Sequence, residues 1–273
     1  MRKTFLYSAA MLGLLMAATG CERNGKKNTE TTLVPDTIRI NWEYKDTMKR
    51  CPIACFMNGS LPRTENSQFK KIMNEWINER LGGSYKMGDN QSTDSIMTYY
   101  QRAWADSTKA QIDEFVTEDY HTIYSWENTF NVEAQTDKFI SLAIKSYSFE
   151  GGAHGSSKIS QQTFRKEDGR EFGWNNMFND NNKYKLRELL TKRVMEYFHV
   201  NSEDELKECL LNPDDAYLIP LPETPPMMLE NGIRFVYQQY EIAPYAAGMP
   251  SFVLPYSEVK SLLTTSASDL LEQ

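Results

Sequence analysis

The sequence has 273 residues, with 30 Lys and Arg against 37 Asp and Glu, and a formal net charge of −7. This length suffices for one large domain or for two small ones, each with its own core. The acidic balance argues against a nucleic-acid partner, because phosphate binding needs a basic field. The charges are well mixed, so the ordinary interpretation is a soluble surface, although an acidic surface also steers basic partners toward itself.

The N-terminal segment has the pattern of an export signal. Arg2 and Lys3 precede an apolar run over 5–18, and the small residues Thr19 and Gly20 precede Cys21. The run is too short for a good membrane span and is typical of a secretory signal peptide. A cysteine at the cut predicts a bacterial lipoprotein. We expect residues 1–20 to be removed, and Cys21 to carry fatty acyl groups such as palmitate and to anchor the exported protein at the periplasmic or cell-surface side of a membrane.

The part of the chain after the signal is predicted to start with a tether. Residues 21–36 are polar and lack aromatic side chains, which favours a flexible segment. Apolar residues with alternating or helical spacing then predict the elements of the first half. These are strands from 37 and over 53–57, helices over 65–81 and 93–120, and three antiparallel strands over 122–167.

The second half is predicted to mix short helices and strands. A helix is predicted over 182–198. A short helix follows, and it begins with a capping box formed by Ser202 and Glu205. A proline-rich loop over 212–226 leads to strands over 232–242 and 252–254, a closing helix over 257–263 and a frayed end over the last ten residues. This order predicts an α+β fold with antiparallel sheet packed against helices. Two subdomains are possible, 37–170 and 171–273, with a boundary that the pattern defines only loosely.

The residues offer little reactive chemistry. The histidines His121, His154 and His199 stand in different predicted elements, and no His or Cys pair has metal-ligand spacing, so we expect no metal, no cofactor and no assigned catalytic residue. Cys51 and Cys55 are close enough to suggest a disulfide, but on a strand they would lie roughly 13 Å apart. Buried thiols are therefore the preferred interpretation.

Two stretches are candidates for binding. The loop containing Gly151, Gly152 and His154 allows positive φ and presents a histidine. The stretch containing Tyr240 and Tyr245 is aromatic and is interrupted by glycine and proline, as in rigid binding platforms. In both cases the plainer alternative is a structural turn with ordinary core residues.

The same two stretches carry a family resemblance. Phe149 to Gly155 resembles the Gly-Gly-Ala-His loop of an extracytoplasmic bacterial domain family, and the stretch from Phe235 to Leu263 resembles its C-terminal signature. That family includes the outer domain of RsiV, an anti-sigma factor that senses lysozyme, and the non-catalytic half of the peptidoglycan deacetylase PdaC. The resemblance covers roughly 37–265 and implies an α+β module that binds rather than reacts. Neither a sigma-binding segment nor a deacetylase domain is recognisable in this sequence, so those roles are not carried over.

These observations predict a lipid-anchored binding module of the cell envelope. The expected partner is peptidoglycan or another glycan, or a lysozyme-like protein. The first alternative is a cell-wall hydrolase that uses His154 with an acid such as Glu150, which requires a cleft with a perturbed carboxylate near the imidazole. The second alternative is a structural or assembly lipoprotein with a protein partner.

Overall fold

The computed structural model describes residues 37–46, 51–88, 92–117 and 121–272. The predicted signal peptide, the tether and Cys21 lie outside these residues. Within the described ranges no helix is both long and apolar enough to cross a membrane.

A large sheet organises the first half of the chain. Its six strands lie side by side in sequence order, and every neighbouring pair is antiparallel except the second and third strands. This pair is parallel because two helices separate these strands in the sequence and return the chain to the same end of the sheet. The α+β class is confirmed, and the sheet is mixed rather than purely antiparallel. The strands are β1 (Thr37–Asp46), β2 (Ile53–Pro62), β3 (Tyr124–Gln135), β4 (Phe139–Phe149), β5 (Ser156–Arg165) and β6 (Glu171–Phe172).

Helices α1 (Ser67–Leu81) and α2 (Thr93–Phe115) cover one face of this sheet. The side chain of Asn66 caps α1 by accepting a hydrogen bond from Phe69 N at 3.1 Å. Phe69 and Trp76 of α1 pack edge-on against Phe164 of β5, with ring centroids 5.9 and 5.8 Å apart. Helix α2 ends at Phe115, before the predicted end at 120.

The C-terminal residues form a second layer with its own sheet. The predicted strand over 232–242 ends at Val236, and the next residues form a loop. The predicted frayed end is wrong, because Thr264 caps a short helix and Leu270 is buried. The elements are α3 (Lys183–Phe198), α4 (Glu203–Lys207), β7 (Met227–Met228), β8 (Gly232–Val236), β9 (Ser251–Pro255), α5 (Tyr256–Val259) and α6 (Thr265–Ser268).

The second layer covers only part of the opposite face of the large sheet. Ser141 Oγ donates to Met228 O at 2.6 Å, and Met228 N donates to Thr163 Oγ1 at 2.9 Å. Arg234 donates to Gln161 and forms a 3.2 Å ion pair with Glu133. The C-terminal layer does not cover the end of this face that lies toward the turn between β4 and β5. The predicted subdomain boundary near 170 stays a prediction.

The structure agrees with the preferred interpretation that Cys51 and Cys55 are buried thiols. Cys55 and Cys209 are free thiols, so Cys51 and Cys55 are not joined by a disulfide. Burial raises the pKa of Cys55 to about 12, which keeps it protonated and unreactive at neutral pH.

Candidate functional site

The turn between β4 and β5 presents His154 at one end of the large sheet. Gly151 and Gly152 have φ of 86° and 93°, a region that a side chain disfavours. At Gly155 a Cβ atom would overlap the ring of Tyr147, so a larger residue there would displace this ring. His154 is exposed, and its Nδ1 lies 3.0 Å from Gly155 O, to which the Nδ1-protonated tautomer donates.

The second candidate stretch, residues 238–248, folds into a compact loop that we call the aromatic loop. Tyr240 adopts φ of 64°, which is uncommon for a residue with a side chain, and is 54% exposed. The Glu241 carboxylate accepts hydrogen bonds from Gln238 N at 2.6 Å and from Glu223 N at 2.7 Å. Burial raises the pKa of Glu241 and outweighs these two bonds, which lower it. At the far end of the loop, Tyr197 donates to Ala247 O at 2.7 Å.

The structure brings these two stretches together. The rings of His154 and Tyr245 are stacked, with centroids 3.8 Å apart and planes at 22°. Tyr240 and Tyr245 follow with centroids 5.9 Å apart. We call His154, Tyr240 and Tyr245 the aromatic junction. Gly151 and Gly152 belong to the turn that carries His154.

Two glutamine side chains hold the aromatic loop on the edge of β5. Gln238 accepts from Ile159 N at 3.1 Å and donates to Ile159 O at 2.8 Å. Gln239 accepts from Ser157 N at 2.8 Å. These side-chain amides satisfy backbone groups that a neighbouring strand would otherwise satisfy. The edge of β5 is therefore closed, and the loop is fixed in register with the turn.

A shallow groove lies beside the aromatic junction on the uncovered end of the sheet face. Its cavity is about 280 Å³ and is lined by residues of β3, β4 and β5 together with Met249 of the following loop. Glu127, Tyr147 and Ser157 form one cross-strand row, and Thr129, Lys145 and Ile159 form the next. Tyr147 connects the groove to the turn, because its ring lies against Gly155.

The groove residues were not identified from the sequence. The alternation over 122–133 predicts β3, but it does not show which neighbours share its exposed face. If the register of β3, β4 and β5 had been known, the sequence would have placed Glu127, Tyr147 and Ser157 in one cross-strand row. No sequence pattern points to Met249, because only the folded loop places this residue beside the groove.

The site presents exposed aromatic and polar side chains. Among the described residues no group of three His, Cys, Asp or Glu side chains could hold a metal ion. In that part of the chain Glu150 forms neither a hydrogen bond nor an ion pair with His154, whose ring is stacked on Tyr245. An exposed aromatic surface beside a polar groove is suited to recognising a ligand.

Two family models match separate segments of the chain. Residues 54–157 match the family model described as Deacetylase PdaC. Residues 175–257 match the model described as Protein of unknown function (DUF3298). The resemblance inferred from the sequence is confirmed. His154 lies in the PdaC-like segment, whereas Tyr240 and Tyr245 lie in the DUF3298-like segment, so the stack joins the two.

Solved structures share the fold. A DUF3298 family member from Bacteroides fragilis superposes with a TM-score of 0.68 at 18% identity, covering 84% of this chain and 93% of that one. A DUF3298 family protein from Pseudomonas aeruginosa superposes with a TM-score of 0.60 at 14% identity, covering 85% and 95%. At these identities the likeness shows the fold alone. None of the curated proteins matches the chain.

Replacing Gln238 should release the aromatic loop. In Gln238→Leu, the backbone N–H of Ile159 on β5 loses the side-chain oxygen that accepts its hydrogen bond. This loss should lower the free energy of unfolding by about 1–3 kcal/mol. We expect faster amide hydrogen exchange at Ile159 and in the loop around Tyr245. Gln68→Leu, on the exposed face of α1, is the matched control and should leave this exchange unchanged. Unchanged exchange at Ile159 in Gln238→Leu would show that the amide does not hold the loop.

Proposed function

We propose that this protein is a lipid-anchored binding protein of the cell envelope that recognises a cell-wall glycan at the aromatic junction and the adjoining groove. The observation that carries the proposal is the 3.8 Å stack of His154 on Tyr245, because it joins two exposed loops into one surface. Peptidoglycan is the glycan that this surface is proposed to meet outside the cytoplasm.

The chemistry of the surface supports a sugar ligand. Aromatic faces pack against the apolar faces of sugar rings, and Tyr240 is exposed beside Tyr245. Ser157 and Thr129 supply hydroxyl groups along the groove, and Glu127 supplies a hydrogen-bond acceptor. Polar groups that converge beside an aromatic surface can fix the orientation of a ligand.

A lysozyme-like protein is the second candidate partner. The net charge of −7 would steer a basic protein toward this chain at low ionic strength. That attraction acts at long range and does not by itself select the aromatic junction. The proposal for a lysozyme-like partner therefore rests on charge, whereas the proposal for a glycan rests on the geometry of the site.

Retention on purified peptidoglycan tests the glycan proposal. The wild-type protein should be retained, and Tyr245→Ala should bind roughly 2- to 13-fold more weakly, since an aromatic contact contributes about 0.5–1.5 kcal/mol. Tyr217→Ala, which removes an exposed tyrosine elsewhere in the C-terminal layer, is the matched control and should bind like wild type. Equal binding by the wild type, Tyr245→Ala and Tyr217→Ala would show that the aromatic junction is not part of the binding site. Release of soluble sugar that stops in His154→Ala would instead support the hydrolase.

Lipid anchoring has a separate test at Cys21. Mass spectrometry of the exported wild-type protein should show an acylated N-terminal cysteine, with the protein in the membrane fraction. Cys21→Ser should lose the acyl groups and leave that fraction, because the proposed lipid is what holds the protein there. A mature protein that keeps residues 1–20 without an acyl group would contradict the proposed anchor.

A further inference from the structure

The groove beside the aromatic junction contains charged side chains of both signs. Lys145, Lys158 and Glu127 all line its cavity. In the described part of the chain none of the three takes part in an ion pair, although many other charged side chains do. Ser157 and Ile159 face the groove, so Lys158 between them directs its side chain to the other face of the sheet, and Lys145 is the cationic side chain on the groove's face among the lining residues.

The register places one of these charges beside an aromatic ring. Lys145 and Tyr147 are two residues apart on β4, so both point to the uncovered face, roughly 7 Å apart along the strand. Their cross-strand neighbours on this face are Thr129 and Ile159 for Lys145, and Glu127 and Ser157 for Tyr147. A single ligand can therefore contact the ammonium group and the ring at once.

From this arrangement we propose that the groove binds a saccharide that carries a carboxylate, and that Lys145 pairs with that carboxylate. This inference rests on the glycan function proposed above and specifies its ligand. Lysine donates charge-assisted hydrogen bonds to a carboxylate. Tyr147 offers its ring to the sugar, while Glu127 and the hydroxyl of Ser157 are positioned to bond with sugar hydroxyl groups.

The presence of Glu127 decides between a sugar acid and a more highly charged ligand. A carboxylate in the groove repels a ligand with several negative charges, such as an acidic peptide. It accepts hydrogen bonds from neutral hydroxyl groups, which a sugar supplies and an acidic peptide largely lacks. One lysine for one carboxylate, with acceptors for hydroxyl groups, matches a singly charged saccharide.

Two disaccharides of similar size test this inference. One is the disaccharide of N-acetylglucosamine and N-acetylmuramic acid, which carries a carboxylate, and the other is the neutral N,N′-diacetylchitobiose. Calorimetric titration of the full-length protein in detergent should show roughly 5- to 10-fold tighter binding of the acidic disaccharide, a preference that shrinks as salt increases. In Lys145→Met the preference should fall to about one.

Controls separate this inference from the glycan function itself. Lys192→Met, an exposed lysine on α3, should keep the wild-type preference. Equal affinity of the wild-type protein for the two disaccharides, or an unchanged preference in Lys145→Met, would overturn the carboxylate inference and leave glycan binding in place. If the wild-type protein binds neither disaccharide and is not retained on peptidoglycan, the proposed function fails as well. Binding of a poly-glutamate peptide in preference to both sugars would also overturn the inference.

Discussion

Strand β6 pairs with one end of the β5 edge, and two glutamine side chains close that edge at Ser157 and Ile159. Gln238 and Gln239 bond to the backbone of Ile159 and Ser157. This docking holds the start of the aromatic loop beside the turn that carries His154. The hydrogen bonds of Glu241 and Tyr197 fix the rest of the loop, and Tyr245 stacks on His154.

The docking also explains how two family segments share one surface. The large sheet and its helices form one core around Trp76 and Phe164, and the C-terminal layer packs with Phe139 and Phe172 of the sheet in a second core around Phe235. Polar contacts of Ser141, Thr163 and Arg234 join the layers over one end of the sheet. The other end remains open, and the groove occupies this open end.

The sequence predicted local features well but not the contact between them. Helical spacing predicted α1 and α3, and the capping box at Ser202 predicted α4, where Ser202 accepts from Glu205 N at 3.2 Å. The glycines of the turn and the tyrosines of the loop were chosen separately for their local chemistry. Their contact depends on the pairing of side-chain amides with a strand about 80 residues away, which no local pattern encodes. The parallel pairing of β2 with β3 and the buried C-terminal end were missed for the same reason, since both depend on long-range packing.

A double-mutant cycle on His154 and Tyr245 tests most directly whether the two loops form one surface. The free energy of unfolding would be measured for wild type, His154→Ala, Tyr245→Ala and the double variant. A stack at 3.8 Å predicts a coupling of about 0.5–1.5 kcal/mol, so the second substitution should cost less once the first is made. Strictly additive losses would mean that the rings do not interact, and the shared surface would then have no physical basis.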